Sequence, residues 1–468
     1  MAEAVPNEKL RQYLRELTPE ARALLAAELE RARLRGEKPP GAEMILDELR
    51  ADTREAGRKL PRLGNAQRLF FAPIEPFLVD DTPERKHRGR ISRACLTPIW
   101  EWVARDLMPE ETKTYIDQVN LLLAANGRKD AGEVARAFQD LAEQRMREIQ
   151  ATSKGDVKAA RRVAAQIGTP QALEDVREIG AILRVRDAIG VIASRLPGSI
   201  ATLADEQLDN VKTLLESPIG RHRDVFLYAL LLVMSRLGAP WQLIRLAIQA
   251  AGSDAAARIA ETPFGVAVEI VLTDVARMIA ALRDSVKAGR GGEVATHLKD
   301  VHDAVRGLRT ELDFSSDSGW SRQLAAFRSE VSKLLQAEIE NLPGQVRRAL
   351  RPRPAKETGP NATLDASDVD EIEAKLVLAA ACRNYSGELA FSEATRRVHS
   401  DLQNYFDSGT QVLIDRLRTS PPAERSFRQS QVDAAVRFCA SLFGADFAST
   451  FAKAAQVAAK GEQKAAKA

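Results

Sequence analysis

What this 468-residue chain lacks narrows it faster than what it contains. There are only three cysteines, Cys95, Cys382 and Cys439. They are far apart, odd in number and form no CxxC pair or zinc spacing, the pattern of reduced, buried thiols in a cytosolic protein. Aromatic residues make up 5% of the chain, which disfavours β-rich architectures and suits helices packed through Ala and Leu. The longest unbroken apolar run, residues 225–234, ends at Ser235 and Arg236. A membrane helix needs ~18 consecutive apolar residues, so no membrane span is expected. The opening residues carry charges throughout and lack the apolar centre of a signal peptide. The expected compartment is the cytoplasm.

An excess of one charge is also missing. The formal net charge is +3, and the tail from Lys453 onward accounts for it, with Lys453, Lys460, Lys464 and Lys467 against Glu462. The body is neutral, unlike a globally basic nucleic-acid binder. Catalytic signatures are absent as well: there is no GxxxxGK[ST], GxGxxG, kinase set, GxSxG or HExxH, and no pair of ExxH motifs of the kind carboxylate di-iron bundles use. No constant period of roughly 34–47 residues marks a helical repeat array. No cofactor is expected.

What is present points to helices. Thr18-Pro19, Thr82-Pro83, Thr97-Pro98, Thr169-Pro170, Ser217-Pro218, Thr262-Pro263 and Ser420-Pro421 each place a hydroxyl before a proline. That pairing suits an N-cap followed by N1, where the missing N–H costs nothing. Residues 222–237 and 240–251, separated by Gly238, Ala239 and Pro240, read as a central buried pair, the first apolar on every side. Between 264 and 342, three segments carry apolar residues at steps of three and four. Val268, Val271, Val275, Met278, Leu282 and Val286 form the first; Val294, Leu298, Val301, Val305, Leu308 and Leu312 the second. Leu324, Phe327, Val331, Leu334, Glu338 or Ile339, and Leu342 form the third. Short Gly-containing joints between them predict antiparallel αα-hairpins.

The expected fold is therefore all-α: a multi-helix bundle with a Pro/aromatic extended strap and a smaller C-terminal helical unit. Residues 1–60 read as an N-terminal helical arm and 61–108 as the strap with a basic cluster. Residues 109–344 read as the central bundle, 345–366 as a Pro/Arg linker, 367–450 as the C-terminal unit and 451–468 as a fraying Ala/Lys tail. The strap holds Pro61, Pro73, Pro76, Pro83 and Pro98, which forbid one long helix. Its Phe70, Phe71, Phe77, Ile99, Trp100 and Trp102 have to be buried against other helices.

Three places carry possible chemistry. Arg85, Lys86, Arg88, Arg90 and Arg93 surround a flexible Gly89 and suit phosphate, although Asp80, Asp81 and Glu84 lie beside them as internal partners. Arg221, His222 and Arg223 stand at a helix start, where cations oppose the helix dipole unless an anion, or Asp224 acting as N-cap, offsets them. His297, Asp300, His302 and Asp303 invite comparison with HD-type phosphohydrolases. Positions five apart lie 140° apart around a helix, however, so the two histidines cannot share an ion.

The expectation that follows is a non-catalytic intracellular interaction or scaffold protein binding another protein. The alternative is a low-specificity polyanion binder, for nucleic acid or phosphate, using residues 85–93, Arg347, Arg348, Arg351, Arg353, Lys356 and the lysine tail. A third is an enzyme with an unrecognised site.

Overall fold

The computed structural model describes residues 13–14, 17–37, 39–55, 64–80, 87–153, 155–168, 170–314, 318–353, 362–385 and 392–460. The described residues are overwhelmingly helical, with one two-stranded sheet, so the protein is an all-α multi-helix bundle. Contacts divide the chain into two compact units, Met1–Pro197 with Thr213–Ser235, and Gly198–Lys212 with Arg236–Ala468. The helices of 109–344 are thus shared between both units, and those of 367–450 belong to the second. Among the described residues, no helix is long and apolar enough to cross a membrane.

The first unit opens with α1 (Pro19–Leu34) and α2 (Ala42–Glu55), which pack on each other around Leu14, Ala26, Leu46 and Leu49. Thr18 is a true N-cap, its Oγ1 accepting from the Ala21 N–H at 3.2 Å. Residues expected as an extended strap are instead a string of short helical pieces. These are α3 (Ala66–Phe71), a 3-10 turn (Ala72–Phe77), β1 (Leu78–Val79), β2 (Ile91–Ser92), a 3-10 turn (Arg93–Cys95), α4 (Leu96–Trp102) and a π turn (Val103–Leu107). The prolines do break the segment. A φ near −65° is nevertheless a helical value: Pro73 opens the first 3-10 turn and Pro76 and Pro98 lie within short helical pieces, while Pro61 and Pro83 lie outside the described residues. Phe70, Phe71, Phe77, Ile99 and Trp102 are buried as the composition requires.

Long helices then enclose this segment: α5 (Pro109–Ala124), α6 (Arg128–Ser153), α7 (Val157–Ile167) and α8 (Pro170–Arg195). α5 and α6 form a hairpin whose turn places Asn126 at φ 61°. Two buried polar side chains hold the short α3 in place. Tyr115 donates to the Ala66 carbonyl at 2.8 Å, and Gln139 Nε2 donates to the carbonyls of Leu69 and Phe70, each at 3.0 Å. β1 and β2 pair in parallel, Leu78 with Ile91 and Val79 with Ser92.

α9 (Asp205–Glu216) runs from the second unit into the first, and α10 (Arg223–Arg236) lies almost wholly in the first. Every residue of α10 from Tyr228 to Met234 is buried, as an all-round apolar helix should be.

The second unit contains α11 (Ile244–Ala251), α12 (Ala256–Ala260), α13 (Gly265–Lys287), α14 (Gly291–Glu311), α15 (Gly319–Glu340) and α16 (Leu342–Leu350). It continues with α17 (Ala366–Tyr385), α18 (Ser392–Arg418), α19 (Arg425–Phe443) and α20 (Ala445–Lys460). α13 and α14 form the expected hairpin, and α17 packs along α14 and α19. All six expected stripe residues of α14 are buried. In α13 the stripe passes through Ile279 instead of Met278 and Val286 is only half-buried, and in α15 it passes through Leu335 instead of Leu334. A straight helix turns every 3.6 residues, so a strict seven-residue reading drifts by one position over a few turns.

Three hydroxyl–proline pairs do not start helices. Ser217 Oγ donates to the Leu214 carbonyl at 2.6 Å, Thr262 Oγ1 to that of Ile259 at 2.9 Å and Ser420 Oγ to that of Leu417 at 2.7 Å. Each hydroxyl closes the preceding helix, and the proline stops it. The next helices begin at Arg223, Gly265 and Arg425. Thr97 sits inside α4, α8 begins at Pro170, and Thr82, Pro83 and Thr169 lie outside the described residues. The linker expected over 345–366 is also partly helical, because Leu342, Val346 and Leu350 bury one face of α16.

Candidate functional site

The basic cluster lies on the connection between β1 and β2, with Arg85 and Lys86 outside the described residues. Gly89 is buried, at φ +75°, and sits so close to α10 that a Cβ would collide with the Leu231 side chain. Its N–H donates to Glu178 Oε2 at 2.8 Å, and the Tyr228 hydroxyl donates to the same oxygen at 3.0 Å. Burial, reinforced by the Glu178 charge, pushes the Tyr228 phenol well above its usual range, so it remains a donor. The amide at the centre of the basic cluster therefore already serves a carboxylate of the chain. Arg93 pairs with Asp80 at 2.7 Å and Glu75 at 3.1 Å. Arg90 Nη2 reaches Met234 Sδ at 3.1 Å, and Arg88 is exposed.

Arg221, His222 and Arg223 are all exposed. His222, rather than Asp224, provides the cap of α10. Its Nδ1 accepts from the Asp224 N–H at 3.4 Å, and its carbonyl accepts from Val225 and Phe226. Arg90 touches α10 at Met234, eleven residues beyond Arg223 and so about 16 Å further along the axis. Those two cations are not brought together.

His297 and His302 serve different neighbours. The His302 ring packs 4.8 Å from that of Tyr385, and its Nδ1 lies 3.1 Å from Asp303 Oδ1. His297 stands near Glu293, whose carboxyl lies below its usual range chiefly through its hydrogen bond from Arg290. Among the described residues, no three His, Cys, Asp or Glu side chains are grouped to hold an ion. Cys382 and Cys439 are buried and their thiols are pushed up to about 12 by burial; Cys95 is half-buried.

Arg347 lies over the Tyr405 ring at 5.8 Å and Arg353 over the Phe427 ring at 5.3 Å. Gln431 and Arg428 hold the carbonyls of Arg351 and Arg353 at 2.8 and 3.3 Å. Arg347, Arg348 and Arg351 remain exposed, while Lys356 and the tail beyond Lys460 lie outside the described residues.

A cleft of about 480 Å³ in the first unit was not foreseen from the sequence. α1 contributes Arg33, the start of α3 contributes Asn65, Gln67 and Arg68, α4 contributes Trp100 and α5 contributes Asn120. Trp100 is the exception among the six large residues expected to be buried, because it alone stays half-exposed. One side of its ring meets Phe70 at 5.5 Å, within a group that includes Tyr115 and Phe138 stacked at 4.2 Å. Asn65 Oδ1 caps α3 by accepting from the Arg68 N–H at 2.8 Å. The sequence signal was the surplus of rings in residues 70–102; only the packing of α1 and α5 turns it into a cleft.

Comparison with protein-family models, characterised proteins and solved structures finds no match to this chain. The class is therefore defined by the fold itself, an all-α protein of two compact helical units.

Proposed function

We propose that the protein is a non-catalytic, intracellular helical scaffold that binds another protein. What supports this reading is the incompletely covered apolar surface of the α1–α2 hairpin. Around its four buried residues, Leu17, Leu25, Leu29 and Ile45 are only partly buried. Tyr13, Leu24 and Met44 are 61%, 69% and 47% exposed. Large apolar side chains left exposed on one small hairpin suit an interaction surface. The test replaces Leu24 and Met44 with Glu and compares native co-purification with that of the unaltered chain. The expected result is a stoichiometric partner that the doubly substituted chain loses while keeping its melting temperature. Recovery of the unaltered chain alone, or equal capture by both chains, would sink the reading.

A second reading, polyanion binding, has its own support at α16 and α18. Arg347 is held on Tyr405, with Arg348 and Arg351 exposed beside it, and none of the three is in an ion pair among the described residues. It predicts retention on heparin that falls steeply with salt and weakens when Arg347, Arg348 and Arg351 are changed to Ala. Passage straight through at low salt would count against it.

A further inference from the structure

We propose that the cleft holding Trp100, Arg33 and Arg68 binds a flat heteroaromatic ring that carries a phosphate. The shared chemistry is that of a nucleotide, taken either free or as the phosphorylated end of a strand. This inference is independent of the scaffold reading, because it rests on different residues.

Three observations carry it. First, Trp100 is a rigid ring platform. Phe70, Phe71, Tyr115 and Phe138 pack around it at centroid distances of 5.5 to 6.4 Å, yet the ring also lines the cleft. A supported, half-buried indole that lines a cleft offers a surface on which a second ring gains roughly 1–3 kcal/mol by stacking. Second, the cleft holds two arginines against a single acid, Glu30. Arg33 and Arg68 are exposed, and neither forms an ion pair among the described residues, whereas Arg31 and Arg35 are paired with Glu28. Two guanidinium forks present more donors than a carboxylate's two oxygens take up, and match a phosphate better. The one acid in the lining, Glu30, already has a partner. Third, Gln67 and Asn120 bring carboxamides into the same cleft, and Asn65 retains its NH₂ after its oxygen caps α3. Carboxamides pair donor and acceptor in one plane, as the edge of a heterocycle requires. The volume of about 480 Å³ suits one small ligand and no long segment of polymer.

The experiment uses the full chain and isothermal titration with AMP, GMP and UMP, beside adenosine and inorganic phosphate, to ~1 mM. A 5′-phosphorylated hexanucleotide forms a separate arm. Arg33→Ala and Arg68→Ala are the deciding variants, because both side chains are exposed and their loss leaves the aromatic packing intact. The expected result is binding of at least one nucleotide, with adenosine and phosphate alone each weaker. Each arginine variant should weaken it by about tenfold, the worth of one charged hydrogen bond. Trp100→Phe should abolish the accompanying tryptophan quench. Tighter binding of the hexanucleotide, dependent on the same two arginines, would support the site and make a strand end its ligand. No binding in any arm, or binding unchanged in both arginine variants, would overturn the proposal. So would heparin displacement with no preference for a ring-bearing ligand.

Discussion

Gly89 shows how much a single position can carry. Its φ of +75° is a left-handed value that a side chain adopts only at a cost, and the space a Cβ would need is filled by Leu231. Its N–H meanwhile satisfies Glu178 beside Tyr228. Gly89→Ala combines backbone strain with overpacking and should cost about 2–4 kcal/mol. Urea melts with both chains at the same pH would check this, and a midpoint within error of the unaltered chain would refute it. Tyr228→Phe is the milder counterpart. It removes one donor from a half-buried carboxylate that keeps the Gly89 amide, so the expected loss is about 1–2 kcal/mol.

At the scale of elements, the short α3 depends on its neighbours rather than on its own six residues. An isolated helix of that length is not stable, because nucleation costs more than one or two turns return. Gln139 on α6 offsets this by donating to the Leu69 and Phe70 carbonyls. Gln139→Leu should leave those carbonyls without that donor and destabilise the first unit by about 1–3 kcal/mol. Loosened protection of the amides of 66–71 in hydrogen exchange is the matching observation. In the second unit, Gly307 of α14 gives the Trp241 indole its seat, for a Cβ there would strike the ring. Arg245 covers the ring at 5.7 Å and binds Glu311. Gly307→Ala gains helix propensity yet should still destabilise, since displacing an indole outweighs the ~1 kcal/mol gained. A melting temperature equal to or above that of the unaltered chain would show that the ring has another place to go.

For the molecule as a whole, pH dependence has an identifiable source in His399. Burial, and then the facing Arg383 whose Nη1 approaches Nε2 at 2.7 Å, lower its pKa from the ordinary 6.5. The folded protein therefore keeps the ring neutral where the unfolded chain takes up a proton. Stability contributed by this group is complete above pH 6.5 and is lost as the pH falls through the window below it. His399→Gln should flatten the fall in stability between pH 7 and 5, measured as urea midpoints across that range. An unchanged slope would place the pH sensitivity elsewhere.

Helical character, the buried centre at α10 and the stripe of α14 were legible in the sequence, because each is a local periodicity of apolar residues. The limits of such reading show in Ser217, Thr262 and Ser420. A hydroxyl before a proline can cap the next helix or close the last one, and only the carbonyl it meets distinguishes the two. The Pro/aromatic segment was readable as interrupted, but not as helical, since its short turns are held by Tyr115 and Gln139 from distant helices. The basic cluster and its acidic neighbour Asp80 were visible as charge, while the pairing of Arg93 with Glu75 and the burial of Gly89 came only with the packing. The sequence by itself determined that this protein is built of helices with a neutral body and a basic tail, because composition and short-range spacing set those properties. Only the tertiary structure decided which cations stay unpaired and which aromatic ring stays open, because charge pairing and burial are properties of residues that meet from far apart in the chain.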